Sequence, residues 1–171
     1  MTSRSTDRIL QYLLVGAMTV LGVVIWDATR NRVIGVGDAA PEFTVTTEGG
    51  KSLSRSAFGG KILVLNFWAS WCGPCVQEIP TLDALHRAGK DRGLVLLGVS
   101  VDKNEKSYRR FLDRHKIGFL TAHDPAQRVN DLYGTYRYPE TYVIDTAGNV
   151  LLKKIGVMDQ ETVRTILGML G

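Results

Sequence analysis

The two cysteines of this chain fall in one tetrapeptide, Cys72-Gly73-Pro74-Cys75. Two intervening residues let the sulfurs close a disulfide within one turn of backbone. The residues that follow read as a helix, whose N-terminus favours negative charge. A thiolate there has a lowered pKa and becomes a nucleophile near neutral pH. The pair therefore reads as a dithiol/disulfide couple. Cys72, at the helix start and nearer solvent, is the candidate attacking sulfur. Cys75, one turn in, is the candidate buried thiol that resolves a mixed disulfide. A merely stabilising disulfide is the alternative, but so short a loop removes little chain entropy. Two cysteines lack the four ligands of a structural zinc site. His86, His115 and His123 are scattered without ligand spacing. No metal is expected, and no cofactor beyond the cysteine pair itself.

Neighbouring residues bear on that chemistry. Pro74 lies in the first helical turn, where its missing N–H costs little, and it stiffens the pair. Glu78 follows Cys75 by three residues and shares a helical face with it. Partly buried, it would have a raised pKa and could accept the Cys75 proton. On spacing alone a solvated helix glutamate is the better reading. Trp68 and Trp71 bracket the site, with Trp71 expected exposed beside Cys72 and Trp68 partly packed.

The elements that must position these groups follow from periodicity. Residues 61–67 form a dense apolar strand of the buried type. Residues 73–88 read as a helix with Val76, Ile79, Leu82 and Leu85 on one stripe, interrupted by Pro80. Upstream, 40–45 and 51–53 look like a hairpin turned at Gly49-Gly50, and Ser54 could cap a brief helical turn ending at Gly59-Gly60. Downstream come a strand at 94–101, an amphipathic helix at 105–115 with Tyr108, Phe111 and Leu112 inward, and a helix at 125–133. A strand at 141–144, its hairpin partner at 150–155 and a final helix capped by Asp159 through Leu170 complete the chain. Strands alternating with helices and a closing hairpin indicate an α/β sandwich with a mixed sheet.

Hydrophobic content of 44% and charged content of 22% are ordinary for a globular protein. From Asp38 onward there are 17 basic and 15 acidic residues, too even a balance to imply nucleic acid binding. Residues 9–26 are almost wholly apolar, with Gln11 and Thr19 as the clear polar interruptions. Eighteen helical residues span about 27 Å, close to the hydrocarbon thickness. Tyr12 and Trp26 would sit near the two interfaces. A cleaved signal peptide is the alternative, but Val24-Ile25-Trp26-Asp27-Ala28 makes a poor cleavage site. Arginines flank both ends, so charge does not decide the orientation. The chain divides into a tail (1–8), an anchor (9–26), a tether (27–37) of at most about 40 Å, and a domain (38–171).

Trp71-Cys72-Gly73-Pro74-Cys75 behind a hydrophobic strand resembles the active site of thioredoxin. Pro80 falls where thioredoxins kink the same helix, and Tyr138-Pro139-Glu140-Thr141 looks like that family's cis-proline loop. Three further stretches are similar to the membrane-anchored TlpA/ResA/CcmG (DsbE) group: Gly37-Asp38-Ala39-Ala40-Pro41-Glu42-Phe43, Gly60-Lys61 leading into Leu65-Asn66-Phe67-Trp68-Ala69-Ser70-Trp71-Cys72, and Glu78-Ile79-Pro80. These are bacterial extracytoplasmic thiol–disulfide oxidoreductases, several of which serve cytochrome c maturation. The resemblance spans 37–171, and the 64 residues from Cys75 to Pro139 leave room for the group's central insertion. It implies a thioredoxin-like α/β fold, with a mixed central sheet flanked by helices, an N-terminal β-hairpin extension and an N-terminal transmembrane helix.

Thioredoxin's buried aspartate is replaced here by Asn66, which cannot accept a proton; the resemblance implies that Glu78 takes its part. The wording of the proline loop looks more like CcmG and the Gly73-Pro74 dipeptide more like ordinary thioredoxin, so the branch stays open. The resemblance further implies a cis Pro139, with the backbone of Tyr138 meeting an extended substrate segment. Glu140 either contacts a partner or is an exposed loop carboxylate. Thioredoxin's potential of roughly −270 mV implies a reductant.

The function expected is a protein disulfide reductase, single-pass in a bacterial cytoplasmic membrane with its domain on the periplasmic side. It would act on disulfide-bearing proteins, apocytochrome c among them, and draw electrons from a membrane thiol donor. The alternatives are a peroxiredoxin-like thiol peroxidase, disfavoured because Ser70 and Trp71 precede Cys72 instead of a Thr-x-x-Cys pattern, and a non-catalytic binding or chaperone module, disfavoured by the intact cysteine pair.

Overall fold

The structure, a computed structural model, describes residues 3–30 and 33–170. Residues 1, 2, 31, 32 and 171, which fall in the expected tail, tether and domain end, lie outside the described residues. The chain separates into an N-terminal helix and a compact unit that begins at Val33.

Helix α1 runs Ser3–Arg30, so residues 3–8 and 27–30 extend the helix beyond the apolar stretch. Within it, Asp7–Trp26 has 20 residues with a mean hydropathy of 2.1, long and apolar enough to cross a bilayer. Its large apolar side chains, from Ile9 to Trp26, are exposed on all sides.

The compact unit is built on β3 (Ile62–Trp68), every residue of which is buried. Around it the sheet runs β5-β4-β3-β6-β7, with β4 (Leu94–Ser100), β5 (Leu120–His123), β6 (Glu140–Ile144) and β7 (Val150–Ile155). The pairs β3–β4 and β4–β5 are parallel, and β6 is antiparallel to both β3 and β7. A strand sends alternate side chains to opposite faces. Leu63, Leu65 and Phe67 therefore meet Phe43, Phe58, Val129 and Tyr133 on one face. Ile62 and Val64 meet Leu82 and Leu85 of α2 (Gly73–Gly89) and Val163 and Ile166 of α5 (Gln160–Gly168) on the other. A third cluster gathers where β3 ends: Trp68, Ala69, Cys72, Cys75, Ile79 and Val101, with Tyr108 and Phe111 of α3 (Glu105–His115).

Five features differ from the sequence expectation. The hairpin is β1 (Thr44–Thr46) with β2 (Ser52–Ser54); residue 40 pairs elsewhere, its N–H donating to Gly148 O at 2.8 Å. The 3-10 turn Arg55–Phe58 follows Ser54, whose hydroxyl bonds Ser56 Oγ at 2.8 Å and caps nothing. Helix α4 (Arg128–Tyr133) starts later than expected, because the Asp124 carboxylate accepts from the N–H groups of Arg128, Val129 and Asn130 at 2.9, 2.8 and 3.2 Å. Strand β5 had no expectation, and its register of Leu97 against Leu120 exists only through β4. Finally, residues 33–37 are not free chain. Ile34 is buried, its N–H donates to Tyr133 O at 3.1 Å, and its carbonyl accepts from Lys153 Nζ at 2.9 Å.

Candidate active site

Strand β3 delivers the chain into a turn over 69–72, closed by Cys72 N–H donating to Ala69 O at 3.1 Å. Cys72 is the N-cap of α2, and Gly73 and Pro74 fill its first positions, where an amide hydrogen would have no helical partner. Cys72 and Cys75 are joined by a disulfide with Cα atoms 5.3 Å apart. The N–H of Cys75 donates to Cys72 Sγ at 3.2 Å. This amide of the helix start, shared with Cys72 O at 3.1 Å, is thus aimed at one sulfur, which stabilises an anion there once the bond is reduced. Both cysteines are buried, Cys72 at 5% and Cys75 at 2% exposure.

The two tryptophans take opposite parts. Trp71 is 69% exposed and meets the ring of Tyr138 edge-on at 5.9 Å. Trp68 is buried more completely than expected and stacks on Phe111 at 4.6 Å. Gly98 of β4 permits that packing: a Cβ there would lie 2.9 Å from Trp68 Nε1 and 3.0 Å from Phe119.

Glu78 is 1% exposed. Its Oε1 accepts from Asn66 Nδ2 at 2.8 Å and its Oε2 from Met158 N–H at 2.9 Å. Burial pushes its pKa up to about 7, against the opposing pull of those two donors. Neither of these bonds goes to Cys75. Asn66, which bonds the Glu78 carboxylate, lines with Cys75, Trp68 and Phe111 a narrow void of about 10 Å³. The second Asn66 amide hydrogen goes to Thr141 Oγ1 at 3.0 Å. Asn66, Thr141 and the Met158 amide thus hold the carboxyl, a set that helical spacing around Glu78 does not reveal. An asparagine inside an apolar strand was the one signal in the sequence. Ser70 is held in turn by buried Asp102, which sequence reasoning also missed.

The Tyr138–Pro139 peptide is cis. The Tyr138 hydroxyl donates to Asn130 Oδ1 at 2.8 Å, which steadies the loop beside Trp71. Glu140 requires correction: it is neither a partner-facing nor an exposed loop residue. It opens β6 in register with Phe67, so alternation turns it onto the face away from α2. There it is fully buried, with Lys153 Nζ at 2.8 Å and the Tyr142 hydroxyl donating at 2.5 Å.

Fold and site together define a thioredoxin-like protein with a disulfide at the head of its first sheet-packed helix. Residues 36–153 match the AhpC/TSA family model. The chain is 34% identical over 142 residues to the thiol-disulfide oxidoreductase ResA of Oceanobacillus iheyensis, covering 81% of this chain and 74% of that protein. It is 31% identical over 154 residues to the thioredoxin-like protein YneN of Bacillus subtilis, covering 87% and 89%. Among solved structures, a thiol:disulfide interchange protein DsbE from Chlorobium tepidum superposes with a TM-score of 0.73 at 30% identity, covering 79% of this chain and 99% of that one. The chain belongs to the AhpC/TSA family, as a thioredoxin-like thiol–disulfide oxidoreductase of the ResA/DsbE type.

Proposed function

We propose that this protein is anchored by α1 in a bacterial membrane and reduces disulfides of partner proteins on the extracytoplasmic side. The observation that carries the reading is the Cys72–Cys75 disulfide at the start of α2, with a helix amide on Cys72 Sγ and the buried carboxyl of Glu78 one turn further on. The Cys72 thiolate attacks one sulfur of the substrate disulfide; that S–S bond breaks and the first substrate thiolate leaves. Glu78 takes the Cys75 proton, and the Cys75 thiolate attacks Cys72 Sγ. The mixed disulfide breaks, the second substrate thiolate leaves, and two electrons have passed from the pair to the substrate. A membrane thiol donor then restores the dithiol. Trp71, Tyr138 and the backbone beside Pro139 form the docking surface. Apocytochrome c is the candidate substrate that the resemblance to the TlpA/ResA/CcmG group implies.

The test is trapping. A Cys75→Ser protein expressed in its membrane holds its substrate as a mixed disulfide through Cys72, and mass spectrometry identifies it. The Cys72→Ser protein traps nothing and loses insulin reduction. Peroxide consumption without any trapped protein would replace this reading with a peroxidase. Extraction of the full chain by alkaline carbonate would remove the anchor.

A further inference from the structure

Asp102, just past β4, is a buried carboxylate that the thiol chemistry does not use. It is 2% exposed. Its Oδ2 accepts from the Ser70 N–H at 2.9 Å and its Oδ1 from the Ser70 hydroxyl at 2.8 Å. The Ser100 hydroxyl donates to Oδ2 at 2.8 Å. Asp102 is itself held from behind: its N–H donates to Ser100 Oγ at 3.2 Å, and its carbonyl oxygen lies 2.6 Å from His123 Nε2. The His123 ring lies parallel to Tyr108 at 4.7 Å. Next to it, Val101 N–H donates to Trp68 O at 3.0 Å. The end of β4 is therefore a fixed point, and its carboxylate grips the turn that ends in Cys72.

We propose that Asp102 is a positioning residue for the redox pair: through Ser70 it holds the turn over 69–72 so that Cys72 stays in place to close the disulfide on Cys75. The inference rests on the reading of these cysteines as the redox couple. In the oxidised pair the S–S bond itself holds the turn. In the dithiol that tie is gone, and the bonds to Asp102 keep the Cys72 sulfur near its partner. Without the grip the reduced turn relaxes, while the oxidised turn remains confined with its Ser70 donors unpaired. Loss of Asp102 therefore costs the disulfide form more than the dithiol form, and disulfide closure weakens.

The measurement is the equilibrium of the full chain in glutathione buffers, read by thiol labelling and mass spectrometry. Asp102→Ala is expected to lower the constant for disulfide formation about tenfold, a potential about 30 mV less negative. Ser70→Ala, which loses only the hydroxyl bond, shifts it the same way by a smaller factor. Asp102→Asn keeps an acceptor for the Ser70 N–H and a donor to the Ser70 oxygen, and stays within about threefold of the parent. An unchanged constant in a cooperatively melting Asp102→Ala protein overturns the proposal. So does a shift in Asp102→Asn equal to that in Asp102→Ala, which would assign the effect to charge. Should Asp102→Ala not fold, an unchanged Ser70→Ala constant overturns it alone. A parent chain with no two-electron couple would instead remove the functional reading beneath it.

Discussion

At the scale of single residues, the site turns on a buried acid on the helix and the strand amide that bonds it. The strand position that carries an aspartate in thioredoxin here carries Asn66, and the acid sits on the helix as Glu78. The amide donates to that acid, so it stabilises the charged form, but burial outweighs it and the pKa rises to about 7. The sign for stability follows. The unfolded carboxyl ionises near 4.5, so above that pH the folded state holds a proton that the unfolded state has released. Stability falls as pH climbs from about 4.5 to about 7 and is level above. Replacement of Glu78 by Gln abolishes this slope. Its stability relative to the parent should gain about 3 kcal/mol between pH 4 and pH 8, measured by urea unfolding at each pH. The same variant should resolve mixed disulfides more slowly, without an inflection near pH 7. Resolution rates that match the parent at every pH would take Glu78 out of the mechanism.

At the scale of elements, what was legible followed the strength of local periodicity. Helix α3 fell where the pattern placed it, with Tyr108 and Phe111 buried and Asn104 Oδ1 accepting from Ser107 N–H at 3.2 Å as its cap. Strand β3 was legible because a strand covered on both faces reads as an unbroken apolar run. Strand β5 was not, since four residues with an exposed Leu120 carry no period of their own. The start of α4 also escaped, because the carboxylate that accepts from its first amides is Asp124, four residues before Arg128. Close packing between β3 and β4 supplies a test at this scale. Gly98→Ala puts a methyl 2.9 Å from Trp68 Nε1 with Phe119 behind it, so the indole must move. The expected cost is about 1–3 kcal/mol, seen as a lower urea midpoint with an unchanged m-value. A midpoint equal to the parent's would show that the β3–β4 contact has slack.

At the scale of the whole molecule, the stretch read as a tether carries part of the core. Ile34 is buried beside Tyr133, and its carbonyl meets the Lys153 that pairs with Glu140 at the head of β6. A chain that starts at Val33 should fold as a cooperative unit. One that starts at Asp38 loses the buried Ile34 side chain and an acceptor for Lys153. It should be less stable by about 2 kcal/mol, visible as a lower melting temperature. Equal melting of the two would return residues 33–37 to the tether.

The sequence by itself determined the thiol chemistry and the elements with a strong local period. Cysteine spacing, the following helix and the apolar run before it are local properties, readable within a few turns of backbone. The resemblance to thioredoxin also marked Asn66 as a departure and Glu78 as the acid that takes the aspartate's part. Only the tertiary structure decided which side chains face the sulfurs. Glu140 and Thr141 are adjacent in the chain, yet strand alternation sends one into an ion pair with Lys153 and the other to the amide of Asn66. Asp102 reaches Ser70 across 32 residues of sequence. Facing and long-range contact are set by register between strands, and register is a property of the packed sheet that no single segment encodes.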